Sequence, residues 1–304
     1  MVAIKDIQQA NASLRKTHDS LTGVFAGATS GIGLETLRAF AKHIPKPRAI
    51  IVGRNRSKFQ PQLDQLHTLN PDGEYTFIEA EISLLANIDR TCDEIKRNVS
   101  SIDFLVLSQG YVHIGARDNN ADGLDNSSSL RYYGRVRFTQ NLLPIMSPTA
   151  RVVSVLAGGK EGKVFLDDLD LERNYSTINV MEQFTTLMTL SFDRLAQQNP
   201  KKSFIHAYPG FVNTGTTGRH NKGLTGWAIG CVEAAVGWFI IQPQETGERM
   251  LYYATNEQYD TGSWSVDWDG TPKTTKALAG YREQGLAEKV EEHTQAIFQR
   301  VLAK

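Results

Sequence analysis

One stretch constrains this chain more than any other: Val24-Phe25-Ala26-Gly27-Ala28-Thr29-Ser30-Gly31-Ile32-Gly33. An apolar run ends in a turn of small residues, and Leu34, Leu37 and Phe40 then recur at helical spacing. That is strand, glycine-rich turn, helix. Such a turn lets the backbone approach a pyrophosphate closely. It also aims the unpaired N–H groups of the helix N-terminus at the anion. The spacing is Gly-x3-Gly-x-Gly rather than Gly-x-Gly-x2-Gly. A turn of this kind also fits a purely structural role, so the rest of the chain has to decide.

The rest of the 304-residue sequence repeats the alternation. Apolar strand-like segments at 49–53, 75–78, 103–107, 150–156 and 203–208 are separated by amphipathic segments, with a lead-in helix over 1–20. Pro45 and Pro47 stop the helix that follows the glycine turn. Further helices are expected at about 84–98, 130–146, 177–198 and 245–255, a short last strand near Trp264, and a charged amphipathic tail from about 275 to 304. Strands that are apolar throughout, such as Phe104-Leu105-Val106-Leu107, belong in a parallel sheet covered on both faces. Parallel strands need right-handed crossovers, which predicts a doubly wound α/β sheet. No repeat, linker or composition break divides the chain, so 1–304 reads as one domain with an excursion at 215–245.

Composition removes several function classes. Lys plus Arg and Asp plus Glu number 33 each, which gives no basic face for nucleic acid. The longest apolar run, Trp227 to Ile241, is broken by Glu233. It falls short of the ~18 uncharged residues of a membrane span. Cys92 and Cys231 have no metal-ligand spacing, so no metal is expected. Thiols of this kind, and the lack of a signal-peptide core, lead to the expectation of a cytoplasmic protein.

Three segments together are similar to the short-chain dehydrogenase/reductase family over about residues 20–270. They are the glycine turn, the segment Leu107-Ser108-Gln109-Gly110 after the fourth strand, and Pro209-Gly210-Phe211-Val212-Asn213-Thr214 after the sixth. Val152-Val153-Ser154-Val155-Leu156 and His206-Ala207-Tyr208-Pro209-Gly210 resemble a fungal branch found in secondary-metabolite pathways. The resemblance implies a Rossmann-like fold and a nicotinamide cofactor. It implies that Gly27, Thr29, Ser30, Gly31, Ile32 and Gly33 hold the pyrophosphate. Glu81, Ser108 and Gly110 then lie on the adenosine side, and Pro209, Val212 and Thr214 beside the nicotinamide. Arg54, Asn55 and Arg56 stand where the family selects its cofactor, with no acidic residue in the turn. A guanidinium forks onto a 2′-phosphate, so NADP(H) is expected.

The family's proton-handling set is not matched. Its Tyr-x3-Lys pair and its Ser after the fifth strand have no clear counterparts. Leu156 or Ala157 stands at the Ser place. Ser154 is closer to a strand Asn of the pattern, and Arg131 roughly to a helix Asn. Two registers stay open on the sixth helix. One gives Tyr175-x3-Asn179 as the catalytic pair; the other puts Met181 and Thr185 in its place. Asn lacks the charge by which Lys lowers a phenol pKa. Lys160, Lys163, Tyr132, Tyr133, His206 and Tyr208 are further polar groups that could substitute, each with an ordinary structural alternative.

The expected function is an NADP(H)-dependent oxidoreductase acting on a hydrophobic small molecule of polyketide or terpenoid type. The apolar excursion, with Trp227, Ile229, Trp238 and Phe239, would serve as a lid. A non-redox isomerase, cyclase or dehydratase on the same scaffold is the alternative, and a non-catalytic binding protein the third. A homodimer is expected through the helices at 130–146 and 177–198. Leu142, Leu143, Phe184, Met188 and Phe192 there fit either a dimer face or burial on the sheet.

Overall fold

A computed structural model describes residues 2–212 and 241–303. Its centre is a seven-stranded parallel sheet of order β3-β2-β1-β4-β5-β6-β7. The strands are β1 (Ser20–Ala26), β2 (Lys46–Gly53), β3 (Glu74–Glu79), β4 (Ile102–Leu107), β5 (Met146–Val155), β6 (Ser203–Ala207) and β7 (Gly262–Val266). The helices, in chain order, are α1 (Ile4–Thr17), α2 (Gly31–His43), α3 (Arg56–Leu69), α4 (Leu85–Asn98), α5 (Gly134–Leu142), α6 (Thr177–Gln198), α7 (Pro243–Thr255), α8 (Lys276–Glu283) and α9 (Leu286–Leu302). The doubly wound reading therefore holds.

Side-chain alternation along each strand feeds two cores. Val24, Ile50, Leu105 and Val152 face one layer with residues of α4, α5, α6 and α9. Phe25, Ile51, Phe104 and Val153 face the other with residues of α1, α2, α3 and α7. A two-residue period is what a sheet buried on both faces demands. Leu142, Phe184, Met188 and Phe192 are fully buried within this one chain, and Leu143 packs against the same core. Burial on the sheet accounts for these residues, which leaves the dimer expectation without the apolar face it invoked.

Several boundaries differ from the sequence reading, each for a local reason. β2 begins at Lys46 and takes in Pro47. Pairing with β3 starts only at Arg48, so the missing N–H of Pro47 costs no ladder bond to β3. The segment expected as one helix from about 130 starts at Asp125. Its carboxylate accepts from the Ser128 N–H at 2.8 Å and caps a short turn, Asn126–Ser128. A π-helical turn, Ser129–Tyr133, follows before α5. The charged tail is two helices rather than one, divided at Gly285 in the left-handed region (φ 66°). Thr214 and residues 215–240 of the excursion lie outside the described residues; its last residues open α7.

One buried polar knot ties α1, α2 and α7 together. Asn11 Nδ2 donates to the Glu248 carboxylate at 2.6 Å, and His43 Nε2 lies 2.9 Å from its other oxygen. Burial pushes the Glu248 carboxyl up. The hydrogen bonds from His43 and Asn11 and the charges of His43 and Lys42 outweigh that and hold it below its ordinary value. A depressed folded-state pKa stabilises above the unfolded value and is lost as the pH falls through the folded one. Glu248→Gln should therefore cost about 1–3 kcal/mol in urea unfolding at pH 7. The gap to wild type should close as the pH drops below 4.5. An unchanged gap at low pH would contradict this.

Candidate active-site groove

A groove of about 540 Å³ opens at the carboxyl ends of the strands. Gly27 follows β1, Arg54 follows β2, Glu81 follows β3, Ser108 to Val112 follow β4, Leu156 follows β5 and Pro209 follows β6; all line it. Parallel α/β sheets bind ligands at this edge.

The floor is set by the glycine turn. Gly27 has φ +82°, and a Cβ there would fall 2.3 Å from the Gln109 backbone nitrogen. At Gly33 a Cβ would lie 2.2 Å from Ser108 Oγ. Side chains are excluded at both positions, so the turns after β1 and β4 close on each other. Thr29, Ser30, Gly31 and Ile32 complete this wall. Ser30 makes no side-chain cap to α2, so the first N–H groups of that helix keep no side-chain partner from it.

The β2 end of the groove carries Arg54. Its side chain is 67% exposed, and its guanidinium lies 3.9 Å from Glu81. A pair so open and so long is worth little, so another anion displaces it readily. Asn55 and Arg56 do not join it. Asn55 Oδ1 caps α3, accepting from the Lys58 N–H at 2.8 Å. Arg56 donates to the Glu79 carboxylate through its backbone N–H and to the Phe77 carbonyl through its guanidinium. Val212 pairs with Ile241 and is not among the lining residues. Thr214 lies outside the described residues.

The expected catalytic pair is not brought to the groove. Tyr175 donates its hydroxyl to Asp125 Oδ1 at 3.0 Å. Burial, then the Asp125 charge, pushes its phenol well above its ordinary value. Asn179 donates to the Asn174 carbonyl at 2.7 Å. The Tyr175 bond braces the loop before α6 against the segment before α5, and the Asn179 bond closes the first turn of α6 on its own loop. In the other register Met181 is exposed and Thr185 is buried. Among the described residues, none from α6 lines the groove.

The other polar candidates have internal partners. Tyr132 bonds Ser191 and Thr294, and Tyr133 lies 3.2 Å from His293. Lys160 pairs with Asp267 at 3.2 Å and sits over the Tyr208 ring, while Lys163 covers the Phe165 ring. His206 accepts from the Ala157 N–H through Nε2 and meets Thr189 Oγ1 at 2.7 Å through Nδ1. Thr189 in turn donates to buried Glu161 at 2.8 Å, so Nδ1 carries the histidine proton. Burial, then the charges of Arg135 and Arg131, lowers the His206 pKa to about 3 and keeps the ring neutral.

Three lining residues carry polar groups that sequence reasoning placed elsewhere or passed over. Arg135 is buried without a carboxylate partner. It donates to the carbonyls of Leu107 (3.1 Å), Val155 (2.9 Å) and Gln109, and to Ser154 Oγ at 2.7 Å. Burial, then neighbouring Arg131, lowers its pKa to about 9. Gln109 is 5% exposed, and neither atom of its amide has a partner among the described residues. Arg131 is 7% exposed and its Nε is likewise unpaired; burial lowers its pKa to about 10. The readable signal was an arginine, Arg135, in the same stripe as buried Phe138, Thr139 and Leu142.

These features fit a dinucleotide: a turn with no room for a side chain at Gly27 or Gly33, a helix N-terminus without a side-chain cap from Ser30, an exposed guanidinium at one end and polar atoms along the wall that have no partner among the described residues. Comparison with known proteins agrees. A family model described as short chain dehydrogenase matches residues 23–165. "Oxidoreductase AN1596" of Emericella nidulans is 35% identical over 332 aligned positions, spanning 99% of each chain. "Oxidoreductase andH" of Emericella variicolor is 33% identical, spanning 99% of this chain and 98% of its own. The solved RhlG/NADP active-site complex of Pseudomonas aeruginosa superposes with a TM-score of 0.63 at 18% identity, covering 82% of this chain and 95% of its own. Matched end to end by such relatives and carrying this sheet and groove, the chain belongs to the short-chain dehydrogenase/reductase family, a family of oxidoreductases.

Proposed function

We propose that the protein is an NADP(H)-dependent oxidoreductase acting on a hydrophobic small molecule of polyketide or terpenoid type in secondary metabolism. The observation that carries the cofactor assignment is Arg54, an exposed guanidinium at the β2 end of the groove in a turn without an acidic residue. A 2′-phosphate would replace its 3.9 Å contact with Glu81 by a charge-assisted fork. The NADP named in the RhlG complex, on the same fold, supports the same choice. When bound, the dihydronicotinamide would supply hydride. The role of this chain is to grip the phosphates through Gly31 to Gly33 and Arg54, to hold the adenosine side against Ser108 and Gly110, and to hold the far half against Leu156 and Pro209.

The hydrophobic substrate is supported by the apolar residues Trp227 to Phe239 in the sequence. A second reading, a non-redox isomerase, cyclase or dehydratase, is favoured by one observation: no α6 side chain among the described residues lines the groove, so a Tyr–Lys pair is missing from it. Conversion of a substrate at constant NADPH absorbance would select that reading; stoichiometric NADPH consumption would select the redox one.

The purified protein should bind NADPH, measured by its fluorescence, and prefer it to NADH. Arg54→Asp should weaken NADPH about tenfold or more and remove the preference, the loss of a charge-assisted hydrogen bond of ~1.5–3 kcal/mol. Equal affinities in both proteins would refute the assignment. Tyr175→Phe should leave NADPH affinity and turnover within about twofold while costing ~1 kcal/mol of stability through the lost Asp125 bond. A folded Tyr175→Phe protein without turnover would instead make this phenol the proton donor.

A further inference from the structure

Arg131 stands in the groove wall with its charge unanswered. Among the described residues its Nε has no partner, and its guanidinium makes no hydrogen bond or ion pair. Its charge acts on another cation, Arg135, whose own N–H groups are taken by carbonyls and Ser154. The Gln109 amide beside this wall is also without a partner among the described residues. Burying an unpaired charge is costly. Such a residue persists where a ligand brings the counter-charge, and π-helical turns like Ser129–Tyr133 often mark functional positions.

The position of Arg131 decides which ligand. Its Cγ lies 3.5 Å from where a Gly110 Cβ would be, past β4, and its charge is felt by His206 on β6. Arg135, one turn on, bonds the ends of β4 and β5. In the cofactor reading, the 2′-phosphate lies at Arg54 beyond β2 and the pyrophosphate at the N-terminus of α2 beyond β1. Neither the adenosine side beside Gly110 nor the nicotinamide half beyond β5 carries a further phosphate. The anion that meets Arg131 must then come from the substrate. A planar guanidinium fork matches a carboxylate in shape as well as charge.

We propose that Arg131, backed by Arg135, anchors a carboxylate of the substrate, so that the molecule turned over here is an amphipathic acid. The inference rests on the cofactor reading for its orientation, and the test separates the two. The NADP⁺-loaded protein is titrated calorimetrically with 2-naphthoate and with uncharged 2-naphthamide. Wild type should prefer the carboxylate at least tenfold. Arg131→Met should bind both equally, Arg131→Lys should keep some of the preference, and NADPH affinity should change less than threefold in either variant. Because Arg131→Met removes a desolvated charge that has no internal partner, its thermal midpoint should stay level or rise by ~2–4 °C. That shift is not expected of a residue holding the fold together.

Equal binding of the two probes by wild type, failure of both to bind, or a preference that survives in Arg131→Met would overturn the proposal. So would a loss of NADPH affinity in Arg131→Met as large as in Arg54→Asp, which would give the guanidinium to the cofactor. A wild-type protein that binds no NADPH would sink the cofactor reading by itself. The carboxylate preference is then read on the free protein, with the same outcomes deciding it.

Discussion

The turn after β1 and the turn after β4 meet without room for a side chain. Gly27, held at positive φ, sits where a Cβ would enter the Gln109 backbone. That contact fixes how far α2 stands from β4, and so the width of the groove between them. It also places Gln109 and Gly110 opposite the helix N-terminus. Any residue with a Cβ at Gly27 would have to push neighbouring strands apart at their carboxyl ends.

Around that contact the groove is built to take negative charge. The N-terminus of α2 supplies partial positive charge at its centre. Arg54 stands exposed at one end, in a long contact with Glu81, and Arg131 and Arg135 lie buried toward the other. Glu81 and the other carboxylates near the site are at the β2–β3 end or engaged elsewhere. Asp125 is taken up by Tyr175 and its own helix cap, and Glu161 by Thr189 and Ser265. Neither buried arginine has a carboxylate partner among the described residues; Arg131 adds to the burial that lowers the Arg135 pKa, and both charges add to the burial that keeps His206 neutral. Among the described residues that electrostatic cost falls on this wall, where a ligand charge is the natural complement.

The fold and the glycine-turn wall of the groove were legible in the sequence because both are local. Periodicity of two in the strands, periodicity near 3.6 in the helices and a glycine turn at β1 involve residues close in the chain. The place of Arg54 at the groove was legible for the same reason, since it directly follows β2. Asn55 and Arg56 share that turn, but Asn55 was claimed by the cap of α3 and Arg56 by Glu79 and the Phe77 carbonyl. Spacing does not show which of three adjacent polar residues a helix start will consume. The proton-handling side was not legible. Tyr175 is turned to Asp125, fifty positions away in the chain, and the π-helical turn alters the register that carries Arg131. Contacts of that range leave no periodic trace. The trace that did exist was an arginine in a buried stripe, which composition and motif reading pass over.

A crystal structure of the NADP⁺ complex tests the central claim most directly, because it locates each phosphate against each cation. The account predicts the pyrophosphate on the N–H groups of Gly31 to Gly33, the 2′-phosphate on Arg54, and no cofactor phosphate within hydrogen-bond reach of Arg131. A pyrophosphate lying on Arg131 or Arg135, or a dinucleotide running with its adenosine over β5, would contradict it.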